Sequence, residues 1–365
     1  MPLNIYDTHY MLAAVQEMPL EHTFFKNRYF PTDTAMDVFG TSKVLGDYRE
    51  GTQKIAPFVV PRIGSLPVGR EGFSTYELEP ANIAISMPLT LDQLQKRGFG
   101  ESLLSSLTPD ERARHFLMED LNTLNGMINR REELLAVETI LNNGCVMRHL
   151  TEKDGVYENV EAKFYDGVSN PAQFTPANSW AHSTKSGDTW TPGNWYADIC
   201  AMIKMLSGRG KPVRELVVSP DVADFLMTDG WFLAMLDNRD VDLGVIAPET
   251  LTEDVYSIGR MNFRGRVLPI LVNTATYIDA ANQNVAYLPA GTVIAIAPNC
   301  GKGLYGAVTQ MEKDEQFHTY AGTRVPQHIF TIRPPAKETQ LSARPLFVPL
   351  TKNPWTVAKN ITLVA

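Results

Sequence analysis

Seven histidines and three cysteines are the residues of this chain best suited to metal ligation, nucleophilic attack or proton transfer. His9, His22, His115, His149, His182, His318 and His328 form no HxxxH pair, and no HExxH occurs. A helical zinc site of that type needs two imidazoles one turn apart on one face, so none is encoded. Cys145, Cys200 and Cys300 stand far apart with no CxxC. An odd, sparse set reads as buried thiols in a reducing compartment and not as a disulfide frame. A Cys–His dyad would need only the fold to bring its partners together, and spacing carries no such geometry. The reading here is core cysteines and surface histidines.

Three glycine-containing stretches fall short of a reactive loop. GRGKP (208–212) lacks the upstream glycine of a phosphate loop and has Pro212 where a Mg²⁺-binding Ser or Thr belongs. GFGES (98–102) lacks the third glycine of a dinucleotide fingerprint and follows no buried strand. DGVSNP (166–171) is the nearest approach to a GxSxG elbow, and it fails. These glycines read as turn formers, and Trp180, Trp190, Trp195 and Trp231 read as core. No catalytic, cofactor or metal residues are expected, which shifts weight toward a structural protein.

Composition narrows the class. The 365 residues are 44% hydrophobic and 20% charged, enough for two or three domains' worth of core. The start carries acids and histidines where a secretory leader needs a basic start and an apolar run, so no signal peptide is expected. No apolar run is long enough to span a membrane. Net charge is −8, and basic residues are scattered apart from NRRE (129–132) and GRGKPVR (208–214). Backbone binding of nucleic acid needs clustered Lys and Arg, so a DNA-reading role is disfavoured.

One helix is longer than a small domain is wide. SLTPDERARHF opens a helix: Thr108 caps, Pro109 suits the first helical position and Glu111 completes a capping box. The first convincing stop is NNG at 142–144. Ala113, Phe116, Leu117, Leu121, Leu124, Ile128, Leu135, Ile140 and Leu141 fall mostly at helical spacing. Glu119, Asp120, Arg130 and Glu132 are assigned to the outer face. At ~1.5 Å per residue the helix reaches roughly 50 Å. Asn122, Asn125, Gly126 and Asn129 interrupt any heptad, so it is expected to lie lengthwise on a sheet, with Leu121, Leu124 and Ile128 toward that sheet.

Before it, residues 41–90 mix strand-like pieces with Gly64, Gly69, Gly72 and prolines at 57, 61, 67, 80 and 88. Such prolines belong to edge strands, and a projecting hairpin over 45–85 that needs a partner surface fits best. TFFKNRYFP is expected to be extended and to lie on another element. Residues 191–236 alternate helix, strand and helix. One helix carries Trp195, Ile199, Met202, Ile203 and Leu206 on one face, and the next turns Val222, Phe225 and Leu226 inward. Residues 263–309 and the C-terminus read as strands, with ITLVA built into a sheet.

Several stretches, in order, resemble the tailed-bacteriophage major capsid proteins, in particular the lambda-type major capsid protein E family. FFKNRYFPTDTAMDVFG is similar to that family's N-terminal segment. APFVVPRIGSLPVGREGFSTYELEPANIAISMPLT is similar to its extended loop, and REELLAVETILNNGCV to the end of its spine helix. VYSIGRMNFRGRVLPILV, YLPAGTVIAIAPNCGKGLYGAV and ARPLFVPLTKNPWTVAKNITLVA are similar to its later strands. The region 151–190 departs most, and nothing is carried over to it.

The resemblance implies an α+β chain with the phage major-capsid (HK97-like) fold. It allots residues 1–40 to an N-terminal arm, 41–90 to the extended β-hairpin loop and 91–190 to a peripheral domain with the spine helix over 109–142. Residues 191–310 would form an α/β axial domain and 311–365 the return strands of the peripheral domain. It implies a capsid protomer, not an enzyme, that joins hexamers and pentamers of an icosahedral head, assembled in the host cytoplasm. A separate scaffolding protein, a portal and a decoration protein are candidate partners; packaged DNA would be touched only non-specifically, and no membrane or cofactor is involved. Phe58, Val60, Arg62, Arg70, Glu71 and Phe73 are the expected subunit-contact residues. The alternatives are an encapsulin-like compartment shell and a soluble enzyme without a recognisable motif.

Overall fold

The computed structural model describes residues 11, 23–48, 74–90, 109–150, 157–164, 173–236, 244–245, 249–252, 254–279, 281–312, 315–331 and 336–364. Its spine is one helix of 34 residues, Pro109–Asn142. The helix stops where Asn143 takes a left-handed φ of 53°, ahead of Gly144, as the NNG signal requires.

The two ends of this helix lie on different sheets. Leu117, Leu121, Leu124 and Ile128 pack with Met11 against Leu341 and Ala343 and the half-buried Ile83, Ile85 and Met87. Those partners belong to a three-stranded antiparallel sheet ordered Val325–Thr331, Ala336–Ala343, Ile83–Thr90. Pro88 sits on its edge strand, where a missing N–H costs no ladder bond. Residues 83–90 thus belong to the sheet under the spine and not to a projecting segment. Leu135, Ala136, Val137, Ile140 and Leu141 join a separate cluster containing Val217, Ile294, Ile296 and Val357.

That second cluster covers one face of an eight-stranded mixed sheet. Glu215–Val218 pairs in parallel with Arg266–Asn273 and antiparallel to Val293–Ile296. All residues of Glu215–Val218 and Val293–Ile296 are buried, as expected of strands covered on both sides. Side chains alternate across the sheet: Val217 faces the spine, while Leu216 and Val218 face three helices, Asn194–Gly208, Pro220–Thr228 and Gly230–Leu236. Trp195, Ile199, Met202, Ile203, Leu206, Val222, Phe225 and Leu226 are all in this cluster, on the faces their spacing predicts. Buried Asp229 accepts from the N–H groups of Trp231 and Phe232 at 2.9 and 3.0 Å and so caps the last of these helices. It also accepts from the Ser183 N–H and the Trp195 indole, tying the preceding strands to the helices.

The chain's C-terminal residues are sheet-bound. Thr356–Ala358 lies in the large sheet between Val293–Ile296 and the edge strand Gln173–Phe174, and Leu363–Val364 pairs in parallel with Trp180–Ala181. Thr356–Ala358 therefore lies with the strands of 215–296 and not with the sheet under the first half of the spine.

The FFKNRY stretch departs from the sequence expectation. It is a helix, Phe24–Tyr29, and not an extended run. Its first-turn amides are satisfied from outside, because Glu133 of the spine accepts from Phe25 N–H at 2.6 Å and Lys26 N–H at 2.9 Å. A six-residue helix has no stability of its own, so the tertiary cap decides the conformation. Leu124→Ala should cost the protomer about 2–5 kcal/mol, measured by urea denaturation; an unchanged midpoint would show that this face carries no packing.

Candidate assembly site

Val44–Tyr48 and Ser74–Leu78 form a two-stranded antiparallel ladder running from Val44↔Leu78 to Tyr48↔Ser74. This is the base of a hairpin. Phe58, Val60, Arg62, Arg70, Glu71 and Phe73 all lie between the two strands, outside the described residues. What the structure does show is how the base is held.

The strand Gly301–Tyr305 is the anchor. One edge pairs with Pro345–Pro349. On the other side Tyr305 N–H donates to Asp37 O at 2.9 Å and Phe39 N–H to Tyr305 O at 2.8 Å. Ala307 N–H donates to Thr41 O, and Gly306 N–H to Arg344 O. Buried Asp37 accepts from its neighbour Asp33 N–H at 2.8 Å and from Lys302 Nζ at 3.1 Å. The second leg is tied by Arg344 to Glu79 at 3.3 Å. Val44 is buried in the main core, while Leu45 is 54% exposed and Met36 77% exposed. The base is rigidly seated, yet apolar side chains remain on its surface.

The glycines of CGKGLYG are explained by the arm. A Cβ on Gly301 would collide with the Phe30 ring, and one on Gly303 with the Thr32 hydroxyl. The arm lies directly on this strand, and Phe30 packs edge-on to Phe347 and Trp355 at 5.6 and 6.0 Å between ring centres.

Beneath the anchor lies a charged cluster that the sequence reading placed on the wrong side of the helix. Glu132 was assigned to the outer face; it is fully buried. Arg324 donates to its two oxygens at 2.6 and 2.7 Å, to Asn125 Oδ1 at 2.9 Å and to Asn129 Oδ1 at 2.7 Å. Lys26 Nζ reaches Glu132 at 2.5 Å. Asn125, Asn129 and Glu132 follow at i, i+4 and i+7, so they continue the stripe of Leu121, Leu124 and Ile128. That spacing was the available signal. Burial alone would push the Glu132 carboxyl up; the charges of Arg324 and Lys26 reverse this and hold it below the usual glutamate value. Arg28 pairs with Glu215 at 2.5 Å, joining the arm to the large sheet as well.

Of the histidines expected at the surface, His115 is exposed, His182, His318 and His328 are half-buried, with His182 3.7 Å from buried Asp229, and His9 and His22 lie outside the described residues. Burial pushes the Cys145 thiol up to about 12 and raises those of Cys200 and Cys300, away from thiolate chemistry. GRGKP is a helix C-terminus: Lys211 N–H donates to Leu206 O at 3.0 Å, with Gly210 at φ 70°. GFGES and DGVSNP lie outside the described residues. Among the described residues there is no cluster of His, Cys, Asp and Glu fit to hold a metal ion, and no helix long and apolar enough to cross a membrane.

The family model for phage major capsid protein E matches residues 7–360. The chain belongs to that family. It is a capsid protomer of a bacteriophage virion. Among solved structures it is similar to an E. coli CFT073 prophage protein assigned to the capsid, at 16% identity and a TM-score of 0.65, covering 96% of this chain and 98% of that one. That likeness establishes the shared capsid fold. Weaker likenesses are a phage-related protein of Bordetella bronchiseptica RB50 (10% identity, 97% of each chain, TM-score 0.48) and an encapsulin of Synechococcus elongatus PCC 7942 (10% identity, 97% and 96%, TM-score 0.42). No curated protein matches in sequence. Of the two shell readings, the phage head is the better supported and the encapsulin the weaker.

Two outcomes test the seating of the arm in this capsid protomer. Gly301→Ala should cost about 1–3 kcal/mol through overpacking against Phe30, read as a lowered thermal midpoint. Arg324→Ala leaves the buried Glu132 carboxylate with Lys26 alone and should cost about 3–5 kcal/mol at neutral pH. Because the folded-state value of Glu132 is depressed, its stabilisation is full above the ordinary glutamate range and is lost as pH falls through the lowered value. A stability profile against pH should therefore slope more gently in Arg324→Ala than in the parent; parallel profiles would contradict this.

Proposed function

We propose that the hairpin within residues 41–90, whose base is Val44–Tyr48 paired with Ser74–Leu78, is the element by which one capsid protomer grips the next. The observation that carries this is the anchored two-stranded base at 44–48 and 74–78. A two-stranded ribbon is only marginally stable in water by itself. The stretch between its strands contains Ile55, Phe58, Val59, Val60, Ile63, Leu66 and Phe73. At ~25 cal/mol per Å² of buried apolar area, these side chains would supply several kcal/mol per contact before ordering costs. Phe58, Val60 and Phe73 are the apolar contacts of this reading. Arg62, Arg70 and Glu71 set register by charge pairing, which serves specificity more than affinity.

In the same reading the spine and the three-stranded sheet form a peripheral domain. The helices and strands of 191–310 form most of an axial domain that meets its copies around the hexamer or pentamer axis. Head-to-tail contacts of this kind close into rings. A scaffolding protein directs closure, a portal occupies one vertex and a decoration protein is a further partner. The head is assembled in the host cytoplasm and touches its DNA without sequence preference, in keeping with a net charge of −8. The protomer acts by assembly and not by catalysis.

Deleting residues 62–72 should leave a soluble protomer with a cooperative thermal transition that forms no closed shell when a scaffold is co-expressed. Size-exclusion chromatography and negative-stain microscopy read the outcome. Loss of the cooperative transition would place the segment in the protomer's own core.

A further inference from the structure

Among the contacts that hold the arm helix, one is a buried anion shared by two cations. Lys26 comes from the arm and Arg324 from the turn ahead of the strand Val325–Thr331, and Glu132 lies between them without exposure. The two cations are held very differently. Arg324 is also bonded to Asn125, Asn129 and the Thr323 carbonyl, so it stays in place without the arm. Lys26 Nζ has one further contact, to Asn129 Oδ1 at 3.4 Å. Among the described residues, Glu132 is its only ion-pair partner.

We propose that Lys26, Glu132 and Arg324 form a latch that holds the N-terminal arm while Glu132 is ionised and releases it when that carboxyl takes up a proton. A neutral Glu132 leaves two cations facing each other away from water, where their repulsion is weakly screened. Arg324 cannot withdraw. Lys26 can, because Glu132 and Asn129 are the side-chain partners its Nζ has among the described residues, and the helix that carries it is then held by its buried Phe24, Phe25 and Tyr29, the Glu133 cap and the Arg28–Glu215 pair alone. Release takes up one proton from solvent, so docking weakens as pH falls.

Tyr305, from the anchor strand, directs its hydroxyl at Glu132 and Arg324 and remains neutral, because burial raises it well above its ordinary value. Glu133, next along the spine, accepts the arm's Phe25 and Lys26 amides, and burial raises its carboxyl. Its protonation is therefore favoured in the docked state and opposes release, which leaves Glu132 as the releasing group. Arg28 and Glu215 pair independently at the far end of the helix. The latch is a property of the single protomer, so its failure and a failure of the shell reading appear in different assays.

The test is trypsin digestion at pH ~8, where Lys26 and Arg28 are cleavage sites only if the arm is free. Glu132→Gln, which fixes the neutral form, should be cut there at least about tenfold faster than the parent, while the remaining chain keeps its cooperative melt. Adding Lys26→Met to Glu132→Gln removes the second cation and should restore resistance at Arg28 to within about threefold of the parent. A Glu132→Gln chain as resistant as the parent overturns the latch, as does a double variant as sensitive as Glu132→Gln. Should Glu132→Gln show no cooperative melt, hydrogen exchange of the parent and Lys26→Met between pH ~7 and ~4 decides. The parent's segment 23–30 should lose protection before the large sheet does, and Lys26→Met should retain it to lower pH. Identical profiles overturn the proposal.

Discussion

A carboxylate without exposure can persist inside a helix only if cations are brought to it, and Glu132 imposes that demand on the spine. Arg324 and Lys26 answer it from segments nearly three hundred residues apart in sequence. Meeting the demand fixes the turn before the strand Val325–Thr331 and draws the arm onto the helix. The arm in turn covers Gly301 and Gly303 on the strand that seats the hairpin. The cluster also divides the spine. Leu117 to Ile128 belong to one hydrophobic cluster and Leu135 to Leu141 to another, with the charged belt between them.

This arrangement suits a wall unit. A helix of roughly 50 Å exceeds what one compact core can cover, so its two halves pack in different hydrophobic clusters. Elements at the protomer's margin, above all the hairpin base, keep apolar side chains such as Leu45 and Met36 at the surface.

Much of this was legible in the sequence. Pro109 and NNG mark the spine's ends, and Leu121, Leu124 and Ile128 mark its inner face, because each signal is local and governed by helix geometry. The face of Trp195 to Leu206 was readable for the same reason. The arm helix was not, because its cap is the side chain of Glu133, more than a hundred residues away. Glu132 was misplaced because charge normally marks the wet side of a helix, and only its long-range partners reverse that expectation. The strand Ile83–Thr90 was grouped with the hairpin because its prolines suit any edge strand, and sequence does not say which sheet that edge borders. Composition pointed to a hairpin ahead of the spine, and the structure shows its base and what that base is seated on.

The most direct measurement of the central claim is cryo-electron microscopy of the chain under assembly conditions, with a candidate scaffolding protein co-expressed. The account predicts closed shells in which residues 49–73 continue the ladder of 44–48 and 74–78 away from their own body and lie against an adjacent copy. A chain that stays monomeric under every assembly condition, or shells in which 49–73 folds back onto its own core, would contradict it.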